Sequence, residues 1–171
     1  MTRYVAFLRG VSPMNARMTE LKRCFEAAGF TNVTTVLSSG NIIFDAPPTQ
    51  EAALETCAEA AMQRELGRRF SAIIRPVSHL EDLLATDPYA AFGVSPEAKR
   101  VVSFLRTPAA LRTDLPLEAG GARVLCLNGR EAFTAYLPGE KSPVFMALIE
   151  KAFGKDVTTR TWETVRRCAA A

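Results

Sequence analysis

Residues 4–9, Tyr-Val-Ala-Phe-Leu-Arg, are apolar at five consecutive positions. In an extended chain that pattern puts apolar groups on both faces and predicts a strand covered on both sides. A loop follows over 10–17, with Gly10, Pro13 and Asn15. Thr19 is placed to cap a helix running to about residue 28, because Leu21, Cys24, Phe25 and Ala28 recur at helical spacing and Gly29 supplies the stop. Val33 to Phe44 is β-rich and broken by Ser38-Ser39-Gly40-Asn41, a hairpin signal. Pro47-Pro48 ends that run. Thr49 is then expected to cap a helix to about residue 67, with Leu54, Cys57, Ala58, Ala61 and Leu66 turned inward. Ser71 to Val77 reads as a fourth strand, and Ser78-x-x-Glu81 as a capping box that opens a short helix through Leu84.

Residues 86–99, with Asp87, Pro88, Gly93 and Pro96, form a connection, and the order then repeats. Val101–Arg106 is a predicted strand and Pro108–Leu115 a short helix with proline at its start. Gly120-Gly121 leads to strands over 123–128 and 131–137, joined at Asn128-Gly129, the strongest short hairpin signal in the chain. Pro143–Phe153 predicts a helix closed by Gly154, Val157–Thr161 a strand, and 163–169 a last helix. Val5-Ala6-Phe7-Leu8-Arg9 matches Val102-Ser103-Phe104-Leu105-Arg106 at all positions but one. Aligning Arg75 with Arg160 also brings Leu80, Leu83 and Leu84 over Val165, Cys168 and Ala169, in helical phase.

A duplicated β-α-β-β-α-β unit predicts an α+β fold of two ferredoxin-like subdomains in tandem, with mainly antiparallel sheets and helices on one face. The expected subdomains are 1–85 and 100–171, joined by 86–99. The strands are apolar on both sides, so the open sheet faces are expected to pack on each other or on a second subunit.

Composition narrows the function classes. The chain has 171 residues, 48% of them apolar and 23% charged, which is ordinary for a globular protein. A net charge of +3 accommodates anionic ligands but falls short of the basic excess of a dedicated nucleic-acid binder. Four cysteines without a Cys-x-x-Cys, and a single histidine, argue against a structural zinc site. Free thiols suit a reducing cytoplasm. The start lacks the pattern of a secretory signal, and no apolar run is long enough to span a bilayer, so neither membrane nor metal nor cofactor is expected.

The chain resembles a bacterial family known only as a domain of unknown function, DUF1697. The resemblance rests on Tyr4-Val5-Ala6-Phe7-Leu8-Arg9-Gly10, on Met18-Thr19-Glu20-Leu21 through Gly29-Phe30, and on Ser39-Gly40-Asn41-Ile42-Ile43-Phe44. It continues in Glu150-Lys151-Ala152-Phe153-Gly154 through Thr158-Thr159-Arg160-Thr161-Trp162-Glu163-Thr164-Val165, and Ser142 also fits. It implies two ferredoxin-like subdomains and no particular reaction. The family usually has a longer loop with paired glycines and lysines after its Leu-Arg-Gly. Here Val11 to Arg17 is shorter and contains no glycine, and Thr161 stands where asparagine is frequent. If glycine amides of that loop hold an anion in relatives, this chain is expected to do so poorly or not at all.

In the expected topology, the end of strand one, the turn between strands two and three and the end of strand four gather at one sheet edge. That edge would hold Arg9, Gly10, Ser38 to Asn41 and Arg75 to His79 in the first half. In the second it would hold Arg106, Asn128-Gly129 and Arg160 to Thr164. Arginine forks and helix N-termini suit an anion. The candidate ligand-binding residues are therefore Arg9, Gly10, Ser39, Asn41, Arg160 and Trp162. The same residues have plain structural uses: arginines at strand ends pair with carboxylates, Ser-Gly-Asn makes turns, and a lone tryptophan packs. Arg64, Arg68, Arg69 and Arg75 form a modest basic stretch at a helix end. His79, the single histidine, invites a catalytic role beside Ser38 or Ser39, but no Gly-x-Ser-x-Gly elbow accompanies it, and no catalytic residue is assigned.

The leading expectation is a protein that binds a small anionic metabolite at the sheet edges or at the seam between subdomains. An enzyme acting on an anionic substrate is the alternative. RNA binding ranks last, because the aromatic RNP signature is absent. A homo-oligomer stays open.

Overall fold

The computed structural model describes residues 1–108, 114–139 and 144–171. It divides into two compact units, Met1–Leu84 with Thr164–Ala171, and Ala85–Glu163. The last eight residues thus group with the first unit, although they follow the strands of the second half in sequence.

The first unit contains β1 (Thr2–Leu8), α1 (Met18–Ala27), β2 (Thr31–Val36), β3 (Asn41–Ala46), α2 (Glu51–Leu66) and β4 (Ala72–Pro76), and α3 (Val77–Thr86) begins in it. The strands lie in the order β2-β3-β1-β4, every neighbouring pair antiparallel. β1 and β2 are therefore parallel with β3 between them, the split β-α-β arrangement. Ala6, Leu8, Ile42, Phe44 and Ile74 point to one face, where Leu21 and Phe25 of α1 and Leu54, Ala58 and Met62 of α2 close the core. The alternate residues Val5, Phe7, Ile43 and Ile73 are buried as well, which is why the strands read as apolar throughout. Phe44 stacks on Phe30 at 4.3 Å between ring centres and meets Phe25 edge-on at 5.5 Å.

Four local expectations are corrected. Arg17, not Thr19, occupies the N-cap of α1, and Thr19 lies inside its first turn. Gln50, not Thr49, occupies the position before α2; the Thr49 N–H is already donated to Tyr4 Oη at 3.1 Å and its hydroxyl to Pro47 O at 2.6 Å. Cys57 is exposed rather than inward, whereas Glu55 and Glu59 are buried. The inward stripe of α2 runs 54, 58, 61, 62, and 57 lies beside it. Ser78 does not open a capping box, because α3 starts at Val77 directly from β4 and leaves Ser78 inside the first turn.

The second unit contains β5 (Lys99–Leu105), β6 (Leu117–Ala119), β7 (Ala122–Asn128), β8 (Glu131–Tyr136), α4 (Val144–Phe153) and β9 (Val157–Thr161), and α5 (Trp162–Ala170) begins in it. Its sheet order, β6-β7-β8-β5-β9, repeats that of the first unit with β6 added at the edge. Asn128 pairs with Glu131 around Gly129, whose φ of +64° suits glycine, so the hairpin falls where the sequence puts it. Leu105, Val124, Ala132 and Val157 form a core with Leu148, Ile149 and Phe153 of α4. The expected helix over Pro108–Leu115, and Ser142 and Pro143, fall largely or wholly outside the described residues. The protein is an α+β fold with two antiparallel sheets, of four and five strands among the described residues. No described helix is long and apolar enough to cross a membrane.

Candidate functional site

The two halves repeat their backbone hydrogen bonds at the ends of β1 and β5. Leu8 N–H donates to Gly40 O and Leu105 N–H to Arg130 O, both at 2.8 Å. Arg9 N–H donates to Ser71 O at 2.9 Å, and Arg106 N–H to Asp156 O at 3.5 Å. The end of the first strand therefore meets the hairpin turn, as the topology predicts. The fourth strand does not end there. β4 runs antiparallel to β1, with Leu8 opposite Ala72 and Tyr4 opposite Pro76. β9 does the same, with Leu105 opposite Val157 and Val101 opposite Thr161. Arg75 to His79 and Arg160 to Thr164 thus lie towards the opposite sheet ends from Arg9 and Arg106, because an antiparallel strand begins where its neighbour finishes.

The Arg9 end is built from a tight loop. Gly10, at φ +79°, offers its carbonyl to Asn15 Nδ2 at 2.7 Å. Asn15 Oδ1 accepts Ser12 N–H at 2.9 Å, and Asn15 O accepts Arg68 Nη1 at 2.7 Å. Asn15 therefore ties Gly10, Ser12 and the end of α2 together, a role its loop position alone did not disclose. Gly40 is required by packing: a Cβ there would lie 2.9 Å from Val11 Cβ, and its φ is +85°. Asn41 is fully buried and donates through Nδ2 to Val36 O at 3.0 Å and Ser39 Oγ at 3.2 Å. Its amide staples the hairpin, while Ser39 is exposed beside it.

Arg9 and Arg17 are exposed at this end, and Arg68 reaches it through Asn15. Among the described residues no carboxylate is paired with these three guanidinium groups. The other arginines of the basic stretch are engaged: Arg64 with Glu65 at 3.0 Å, Arg69 with Glu59 at 3.4 Å, and the fully buried Arg75 with Glu51 at 3.5 Å. α1 starts here too, and Glu20 Oε2 accepts Arg17 N–H at 3.4 Å, which puts one negative charge at that helix terminus. In the second unit the equivalent Arg106 pairs with Asp156 at 3.7 Å.

Arg160 and Trp162 belong to the second unit and lie towards the opposite end of its sheet from Arg106. Arg160 Nη1 donates to Thr158 Oγ1 at 2.7 Å and Thr159 O at 3.0 Å. Trp162 is 7% exposed and meets Tyr89 edge-on at 5.1 Å, with Phe133 6.4 Å away. Tyr89 comes from the connection, donates its hydroxyl to Val101 O, and has its pKa pushed far up by burial, so it remains a donor. Within the first unit His79 is remote from Ser38 and Ser39. They sit where β1 finishes and His79 follows the end where β1 begins, and seven residues of strand span roughly 20 Å. A serine–histidine pair of that kind is not formed. Burial raises the thiol pKa of Cys24 and Cys126. Among the described residues no group of three or more His, Cys, Asp or Glu is arranged to hold a metal.

The sequence profile described as "Protein of unknown function (DUF1697)" matches residues 1–132. No protein with a curated description matches. Among solved structures, the chain is similar to the conserved bacterial protein SP0830 from Streptococcus pneumoniae. The TM-score is 0.71 at 19% identity, over 99% of this chain and 97% of that one. A likeness at that identity carries the fold alone.

Proposed function

This chain belongs to the DUF1697 family of proteins of unknown function, and we propose that it binds a small anionic metabolite at the Arg9 end of its first sheet. The observation that supports this reading is the contrast between equivalent positions. Arg106 hydrogen-bonds through its backbone to Asp156 and pairs with the same residue's carboxylate. Arg9 makes the equivalent backbone bond to Ser71, which brings no charge. The matching position thus has an internal counter-ion in the second unit and none among the described residues in the first. A guanidinium offers two parallel donors to a carboxylate or phosphate, and Arg68, held by Asn15, adds a second cation next to the loop. Ser39 supplies a neutral hydroxyl. Arg160 and Trp162 fall outside this reading. The free cysteines accord with a reducing, cytoplasmic setting.

The test is a thermal-shift screen of the full chain against nucleotides, phosphosugars, amino acids and organic acids. A ligand at a hundredfold excess over its Kd stabilises by about 2.7 kcal/mol. A selective compound whose affinity falls at least about tenfold in Arg9→Ala, and also in Arg68→Ala, supports the site. A selective compound whose affinity both variants leave unchanged, with the fold intact, overturns it. Turnover of a bound compound would make the same site an enzyme's.

A further inference from the structure

The second unit contains a cavity of about 390 Å³ beside the β6–β7 hairpin. Val94 and Ala98 of the connection form one wall, Tyr136 and Leu137 at the end of β8 another, and Glu118 and Arg123 a third. We propose that this cavity is a binding site for a small organic carboxylate carrying an apolar arm. The site is independent of the one at Arg9.

Three observations converge. The room exists because the hairpin tip, Ala119-Gly120-Gly121-Ala122, carries no side chain larger than a methyl, and the volume lies within the range of small-molecule sites. The lining is mostly apolar with one cation, Arg123, and one carboxylate, Glu118, which an incoming anion would displace. The cation is incompletely used. Glu118 and Arg123 face each other across the hairpin, and Glu118 Oε1 lies 2.9 Å from Arg123 Nε. This buried Nε makes no hydrogen bond among the described residues, although the Glu118 carboxylate lies at ion-pair distance from it. Nη1 reaches Phe92 O at 3.4 Å. A cation paired with a carboxylate but not hydrogen-bonded through Nε can take a better-aligned acceptor.

The ligand's carboxylate takes the Nε and Nη2 donors as a fork. Glu118 is 62% exposed on a three-residue edge strand, so it can swing into solvent when displaced. The apolar arm lies against Val94 and Leu137, and Leu137 is half exposed without it. The Tyr136 ring is fixed by stacking on Phe145 at 4.1 Å, which gives the site a rigid side.

The experiment is an NMR titration of the full chain, ¹⁵N-labelled, with 4-phenylbutyrate and with the neutral 4-phenylbutanamide. The expected result is saturable shifts at residues 94–98, 118–123 and 135–137, with the amide weaker by about tenfold or more. Arg123→Gln should weaken carboxylate binding at least about tenfold, and Ala98→Phe, which fills the cavity, should abolish it. Glu118→Gln should tighten binding, because the competing carboxylate is gone. A purely structural ion pair would not produce that gain. Arg9→Ala should leave the titration unchanged, which separates this site from the first. No saturable shift at those residues up to about 10 mM overturns the proposal. So does binding indifferent to Ala98→Phe, or binding that Glu118→Gln weakens. If Arg123→Gln fails to fold, Ala98→Phe and Glu118→Gln decide the matter.

Discussion

The Glu55 carboxylate on α2 accepts the backbone N–H of Ile74 on β4 at 2.9 Å, and Glu55 is 2% exposed. β4 is an edge strand of the first sheet, so this amide faces away from the ladder. Glu51 and Glu59, one helical turn to either side, pair with Arg75 and Arg69. The three glutamates recur every fourth residue and line one stripe of α2. A covered edge cannot template pairing with another chain.

Glu55→Ala leaves a buried amide without its acceptor and should destabilise the protein by about 1–3 kcal/mol. Glu55→Gln keeps an acceptor oxygen and should cost less. Urea unfolding followed by circular dichroism measures both. Equal losses in the two variants would show that charge, not the hydrogen bond to Ile74, is what the site needs.

Gly40→Ala should destabilise by about 1–3 kcal/mol, the usual cost of a strained backbone position. The new Cβ meets Val11 Cβ at 2.9 Å and the residue must hold φ +85°. Gly29→Ala, with φ +94° but open space at its Cβ, should cost less. Midpoints of thermal unfolding for the two variants check the order.

Trp162 is a packing residue. Trp162→Ala should cost about 3–5 kcal/mol, as for other large buried aromatics. Wild-type tryptophan emission should be blue-shifted and resist acrylamide.

Asp45 gives the first unit an acid-side sensitivity. The Asn32 amide at 2.7 Å, and then the Arg3 guanidinium at 2.9 Å, hold its carboxyl below the ordinary carboxylate value. A folded pKa lowered in this way adds stability that is complete above the unfolded value of about 3.9 and is lost as pH falls through the folded one. Asp45→Asn should therefore be less stable than wild type at pH 7, and the gap should close towards pH 3. Denaturation at both pH values reads it directly.

Much of the fold was legible because its signals are local. The run Val5–Leu8, apolar on both faces, and its copy Val102–Leu105 became central strands. Gly29 and Gly154 ended helices, and Asn128-Gly129 turned the second hairpin. Turn chemistry and periodicity act within a few residues, so they can be read along the chain. β6 escaped notice because three residues carry no period.

The site was less legible. Arg9, Gly10 and Ser39 were correctly gathered at one sheet end, because a hairpin turn must meet the end of the strand beside its second arm. Arg160, Trp162 and His79 were assigned to the wrong ends, because strand direction is set by pairing and not by composition. On α2, the count of apolar residues suggested Cys57 as an inward position, whereas Glu55 and Glu59 are buried through partners that arrive from elsewhere in the chain. Tyr89 gave no sign in a polar connection that it would enter an aromatic cluster with Phe133 and Trp162.

By itself, then, the sequence determined the β-α-β-β-α-β order of the first unit, the strands with two apolar faces and the turns between them. Each of these depends on side chains within a turn or two of one another. Tertiary structure alone decided that Arg106 has a counter-ion while Arg9 has none among the described residues, that Glu55 seals the β4 edge, and that Arg123 and Glu118 face a cavity. Pairing and burial bring together groups tens of residues apart, and their energies depend on distances that do not exist until the chain has folded.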